Sequence, residues 1–366
     1  MSTLKEAKDR IDLLIAKARV DLYKPIQIAE TLRMARHDAT IDLANLETYR
    51  LPSISWRDLV TISLLGKKSS SSARYQHDVW NETAMPPSLL TLLDIENKVT
   101  NGAVERYIYL QFMERQATVT EIIAAVELAN PNTFLLEDLL TLFVRTAGIR
   151  RSIDKVYEII TYALFETIVQ GMGATVTISV PPESKELLAE FADLAKVLLG
   201  IEPEKMDWTA PAHVYRAGVT NAADRGLDMW ANFGPAVQIK HLSLDEKLAT
   251  MIIDQVESDR IIIVCKDADA KTLQIVLSQI GWGKRVQGVV KESNLIEWYD
   301  RCLRGRFKDT LASPLLERLR EGFKAEFPAT AKGVEFCEQR GYFKMAVPAL
   351  WRTGSDYTLK DLETSG

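Results

Sequence analysis

Three polar side chains, Asp228, Gln238 and Lys240, fall close together in residues 225–242 of this chain. A carboxylate opens one short strand, a Gly234–Pro235 turn follows, and a second strand carries an amide and an ammonium two residues apart. Strand side chains alternate faces with period two, so Gln238 and Lys240 share one face while Val237 and Ile239 take the other. A three-residue loop, Phe233 to Pro235, pairs Asp228 with Lys240 and Trp230 with Gln238, which gathers all three polar groups on one face. A two-residue Gly234–Pro235 loop sends Asp228 to the opposite face, because a one-residue register step flips every side chain. Chemistry at this hairpin therefore requires an odd-length loop or a bulge. Asp228 and the amide oxygen of Gln238 suit a divalent cation such as Mg²⁺, which prefers oxygen ligands and needs few of them from protein. Lys240 suits the phosphate or the attacking hydroxide. Together these are the needs of metal-assisted phosphodiester hydrolysis. The bland alternative is a polar-edged hairpin with an incidental lysine.

Glu166 offers a second carboxylate for the metal. It lies on a helix before the sheet, flanked by Leu164, Phe165, Ile168 and Val169, and the competing reading is a solvated helix residue. Asp224 is the alternative ligand. His241 reads as a structural histidine on the other face, and Cys265 as core. Lys266 ends an apolar strand that offers it no acidic partner.

These groups need a framework. Residues 1–150 read as helical, with Leu4, Ile11, Leu14, Ile15 and Ala18 at helical spacing and Pro25 in the first turn of a helix reaching Arg36. Further helices are expected at 39–47, 55–65, 87–98, 103–115, 119–129 and 134–147. The serine-rich segment 66–77 interrupts them as a positively charged loop; Lys67, Lys68, Ser70, Arg74, Tyr75 and Gln76 are its candidates for contacting phosphates and base edges, against the alternative of a solvated linker. Beyond 150 the pattern predicts a helix over 152–171, a strand over 174–180, a helix over 183–199, and strands at 213–217, at Asp228 and at Lys240. A helix at 244–256, a buried strand at 260–265, a helix at 270–280 and a strand at 285–290 follow, then helices at 293–304 and 314–326. The fold class expected is α/β: a mixed sheet flanked by helices, behind a helical N-terminal domain.

Composition narrows the possibilities. The chain has 366 residues, a formal net charge of −5 and 26% charged side chains, which is ordinary for a soluble globular protein. Three widely spaced cysteines fit neither a disulfide framework nor a zinc pattern, so a reducing cytoplasm is expected. No run approaches the ~20 apolar residues of a membrane span. Neither a phosphate-binding Walker loop nor a dinucleotide glycine fingerprint occurs, so no nucleotide cofactor is expected.

The run Gly226–Leu–Asp228, followed by Gln238–Ile–Lys240, resembles the active-site motif of the PD-(D/E)xK nuclease superfamily, in a variant with glutamine at the acidic position. The segments at 18–29, 281–288 and 297–303 are similar to type II restriction endonucleases of the HaeII-like kind. The resemblance implies a Mg²⁺-dependent endonuclease that cuts both strands of a short palindromic double-stranded DNA site, acting as a homodimer. It implies catalytic roles for Asp228, Gln238 and Lys240, with Glu166 as the upstream helix glutamate. On this reading residues 1–150 serve DNA recognition and dimerisation, 151–310 form the catalytic core, and 311–366 are a C-terminal helical extension. Gln238 replaces one negative charge, and no proline closely precedes Asp228. A non-catalytic DNA-binding protein with a decayed nuclease core, and a repair or structure-specific nuclease, are the alternatives.

Overall fold

The structure is a computed structural model that describes residues 3–68, 79–146, 149–217, 227–256, 258–268, 286–327 and 331–354. It is a mixed α/β chain with two sheets, and it divides into two compact units. The first unit comprises 1–128, 137–153 and 323–366, and the second 129–136 and 154–322. The segment 311–366 is thus shared between them at Gly322 and Phe323.

Every described element of the first unit is helical. Up to residue 150 its α-helices are, in chain order, α1 (Leu4–Lys17), α2 (Tyr23–His37), α3 (Pro52–Leu65), α4 (Pro87–Val99), α5 (Ala103–Glu127) and α6 (Leu136–Arg145). Thr3 caps α1 in a reciprocal box with Glu6, satisfying two otherwise orphaned donors. Ile11 and Ile15 of α1 are buried with Ile26 and Leu32 of α2, Leu93 of α4 and Phe112 of α5, as the helical spacing predicts.

Two expectations fail here for local reasons. Residues 39–47 form turns rather than a helix, apart from a short 3₁₀ segment beginning at Leu46. Asp38, Asp42 and Asn45 each accept a backbone N–H two residues ahead, a bond that competes with helical pairing. The segments 103–115 and 119–129 are instead one continuous helix, α5. Thr118 and Thr120 return their hydroxyls to the carbonyls of Glu114 and Gln116, so these poor helix formers are accommodated without a break.

Glu30 of α2 is buried and accepts Arg340 through both oxygens at 2.5 and 3.0 Å, together with the Tyr109 hydroxyl. Glu30→Ala would strand a half-buried guanidinium, and the expected loss is up to ~3–5 kcal/mol in denaturant unfolding. A variant as stable as the parent would show that this pair does not tie residues after 330 to the helical unit.

The second unit begins with α7 (Ile153–Gly171), of which 154–171 belong to it. Strand β1 (Thr175–Ser179) pairs antiparallel with β2 (Asp207–Pro211) in a sheet of its own. The pattern of the sequence does not predict β2, which ends in a proline and exposes alternate residues. Between them the expected helix 183–199 is broken at Phe191 into α8 (Lys185–Glu190) and α9 (Ala192–Leu199).

The larger sheet has strand order β3 (Val214–Arg216), β4 (Met229–Ala231), β5 (Ala236–Lys240), β6 (Ile261–Cys265), β7 (Val286–Lys291). It is antiparallel from β3 to β5 and parallel from β5 to β7. Helix α10 (Glu246–Gln255) joins β5 to β6, and its Ala249 and Ile252 cover Ala236, Ile261, Ile263 and Cys265. The helix expected at 270–280 lies outside the described residues. Two helices follow, α11 (Glu292–Arg304) and α12 (Lys308–Glu326); α12 begins ahead of Pro314, which sits inside it rather than at its start. Helix α13 (Ala331–Gln339) lies in the first unit. Among the described residues no helix is long and apolar enough to cross a membrane.

Candidate active site

The hairpin between β4 and β5 has the odd-length loop that the chemistry requires, displaced along the chain. Ala231 N–H donates to the Pro235 carbonyl at 2.9 Å, which leaves Asn232, Phe233 and Gly234 as the loop. Gly234 takes a φ of +116°, a conformation that side chains strongly disfavour, and Pro235 opens the strand where only its carbonyl is needed. The register is Met229 opposite Val237 and Trp230 opposite Ala236. Continuing it places Asp228 opposite Gln238, where a loop of 233–235 would have put Lys240. The shift is two residues, so the face is preserved.

Two of the polar groups, Asp228 and Gln238, meet on that face. Gln238 donates its side-chain Nε2 to Asp228 Oδ2 at 2.6 Å, and the backbone N–H of Ile239 donates to the same oxygen at 2.7 Å. Gln238 is only 3% exposed. Burial is the main reason that the Asp228 carboxyl is pushed up to about 6. The Ile239 bond opposes the shift, the charge of Glu158 adds to it, and the ammonium groups of Lys240 and Lys155 pull it down. Lys240 is half-buried at the end of β5, beside Cys265 in the parallel register.

Helix α7 carries two buried glutamates, Glu158 and Glu166, and the charge of Glu158 is felt at Asp228. Glu158 is 6% exposed, receives Lys155 Nζ on both oxygens at 2.7 Å, and lies 3.5 Å from Arg216 Nη2. Glu166, the helix residue singled out in the sequence, is committed elsewhere. It accepts the Val214 N–H at 2.7 Å and holds His213 Nδ1 at 2.9 Å, bracing β3 against the helix. The two glutamates lie eight residues apart, roughly 12 Å along the axis. The signal for Glu158 was present in the sequence as an acidic residue three places after Lys155 inside the apolar run Val156–Ile160.

The remaining candidates are placed as follows. His241 pairs with Asp154 in the first turn of α7. Lys67 donates to the Glu326 carbonyl at 3.1 Å and lies 3.6 Å from Asp21, whereas Lys68 is exposed. Ser70, Arg74, Tyr75, Gln76 and Asp224 lie outside the described residues. Cys265 is buried and its thiol is pushed up to about 11 by that burial, which suppresses the thiolate. Among the described residues no three His, Cys, Asp or Glu side chains group as a metal site.

The family model "HaeII restriction endonuclease" matches residues 7–342. The chain is 46% identical to the type II restriction enzyme HaeII of Haemophilus aegyptius over 90% of its own length and 94% of that protein's. This chain belongs to the HaeII restriction endonuclease family. It is also 44% identical to the type II restriction enzyme NgoBI of Neisseria gonorrhoeae, over 92% of this chain and 96% of that one. No solved structure matches it. Membership makes the chain a restriction endonuclease, an enzyme that hydrolyses DNA at specific sites.

Proposed function

We propose that the chain hydrolyses phosphodiester bonds in both strands of a short palindromic DNA site, using Mg²⁺ at the β4–β5 hairpin. The observation that carries this reading is the bond from Gln238 Nε2 to Asp228 Oδ2 at 2.6 Å, on the face that Lys240 shares. Among the described residues both hydrogen bonds to the Asp228 carboxylate land on Oδ2, so Oδ1 keeps its lone pairs. Gln238 is engaged through its nitrogen, and its amide oxygen is the atom left for a cation. One carboxylate oxygen and one amide oxygen fit an ion that retains several waters and takes further oxygens from the substrate. When bound, Mg²⁺ supplies an acidified water and compensates charge on the phosphoryl oxygens.

The chain's own groups do the rest. Ile239 N–H and Gln238 hold the Asp228 carboxylate in one orientation before any ligand arrives. Lys240 holds the phosphate or the attacking hydroxide by charge. Glu158, rather than Glu166, is the helix carboxylate of this centre, and its ion pairs with Lys155 and Arg216 fix its position. The second unit is then a PD-(D/E)xK core with glutamine at the acidic position. A homodimer would present two identical centres to antiparallel strands, which is why the target is a palindrome. The helical unit and the segment 66–77, with Lys68, Ser70, Arg74, Tyr75 and Gln76, would contribute DNA contacts.

The test is a digest of unmethylated plasmid with Mg²⁺ and with EDTA. Discrete fragments with mapped ends at one palindrome are expected, and only with the metal. Uncut plasmid, or cutting confined to nicks and junctions, would refute the reading.

A further inference from the structure

An exposed apolar stripe runs along α8 and α9. Leu187, Phe191, Leu194 and Leu198 follow one another in steps of four, three and four residues, the spacing that keeps side chains on one face of a helix. The break at Phe191 does not turn the stripe aside. Phe191 N–H donates to the Leu187 carbonyl at 3.2 Å and Ala195 N–H to the Phe191 carbonyl at 2.9 Å, as in a continuous helix. These four side chains are 48 to 72% exposed, and Val197 beside them is 87% exposed. The two helices seat themselves with other residues. Leu188 and Ala195, roughly a quarter-turn away, are buried in a small core against which Ile178 of β1 and Trp208 of β2 pack. The stripe is therefore left over after α8 and α9 have been fixed to their own sheet.

Its size matches one side of a protein–protein interface. At about 120 Å² for a whole apolar side chain, the five residues offer roughly 400 Å². A standard interface takes about 800 Å² from each partner, a little over half of it apolar. An apolar patch of this extent on a folded chain usually serves an interaction. Charge narrows the partner. Residues 181–207 carry seven acidic side chains against three lysines. Such a surface repels the phosphates of a duplex and of an anionic membrane alike. The four-three-four spacing suits another helix. A two-fold axis across the stripe lays it antiparallel on its own copy, apolar on apolar, as a self-complementary interface requires.

We infer that the α8–α9 stripe is the surface through which two copies of this chain associate, each laying Leu187, Phe191, Leu194 and Leu198 against the same residues of the other. The inference rests on the two-strand cleavage proposed above, which needs two hydrolytic centres related by a two-fold axis, and it adds where that axis passes. Helices α8 and α9 belong to the same compact unit as Asp228, Gln238 and Lys240, so the contact joins the parts that cut. Glu186, Glu190 and Asp193 are exposed on the same segment and bring like charges together when two copies meet. Salt screens that repulsion, so association through the stripe should strengthen with salt, whereas DNA binding weakens.

The experiment compares the sedimentation of the parent chain with that of L194E and L198E, without DNA. The parent is expected to run as a dimer at micromolar concentration, more tightly at high salt than at low. Each variant should weaken the association by about 100-fold or more, because a two-fold interface buries every added carboxylate twice. Both positions are exposed within one copy, so the fold should survive, and thermal melts check that it does. A second measurement needs no disruption. The three native cysteines are buried, so L194C treated with a flexible bismaleimide should give a cross-linked dimer through that position alone. On a plasmid with one site, L194E should nick one strand at a time where the parent cuts both. A monomeric parent, folded variants as dimeric as the parent, or L194C that yields no cross-linked dimer would overturn the inference. A parent that dimerises through the stripe and cuts no DNA would leave it standing and refute the proposed function alone.

Discussion

Lys240→Ala is expected to slow cleavage by roughly 10²–10³-fold, the usual cost of removing a pre-positioned charge from the reacting phosphate. DNA binding should persist, because most affinity for a duplex comes from distributed phosphate contacts elsewhere on the protein. The fold should persist too. Lys240 is the last residue of β5 and half-buried, and the apolar core below it is formed by Ala236, Ile261 and Ile263. Single-turnover cleavage and a gel shift on the same fragment read the two effects separately. A variant that cuts at the parental rate would remove Lys240 from the chemistry. A parent that binds and never cuts would favour the decayed-nuclease alternative.

Asp228→Asn is expected to abolish cleavage and, without metal, to leave the protein as stable or more stable. The substituted amide can still accept from Ile239 N–H and Gln238 Nε2 on its oxygen, so the local geometry has no reason to change. The charge is what burial penalises. Because the folded carboxyl titrates at about 6 rather than at its ordinary 3.8, ionising it costs folding stability. That cost is absent below pH 3.8, grows between 3.8 and about 6, and is complete above it. A shift of this size corresponds to on the order of 1–3 kcal/mol once solvent screening is allowed for. The D228N variant should therefore melt above the parent at about pH 7–8, with the gap closing as the pH falls toward about 4. Adding Mg²⁺ should raise the melting temperature of the parent and leave the variant where it was, since binding stabilises only a fold that holds the ion. Equal responses to Mg²⁺ would move the metal away from Asp228.

The dependence of both predictions on a few local bonds shows how the information is divided. Alternation along β5 is a local property of extended backbone, so the shared face of Gln238 and Lys240 was readable from their spacing alone. An odd-length loop was likewise deducible as a requirement, because parity decides the face of Asp228. Which three residues close the loop was not deducible from that requirement. It depends on Gly234 adopting a positive φ and on Pro235 offering a carbonyl without needing an N–H. The segment 39–47 forms turns despite its apolar pattern because side-chain bonds to Asp38, Asp42 and Asn45 outweigh that pattern.

From the chain alone came the residues of the proposed centre, a carboxylate, an amide and an ammonium on neighbouring strands, with a helix rich in buried apolar residues ahead of them and a mixed α/β arrangement. Periodicity carries such facts because each rests on contacts among near neighbours. The different partners of Glu158 and Glu166 belonged to the tertiary structure. Both lie on α7, and only the packing of that helix against β3 puts Glu166 on Val214 N–H and Glu158 beside Arg216. Distances between segments far apart in the chain are set by packing of whole elements, and no spacing within one element encodes them.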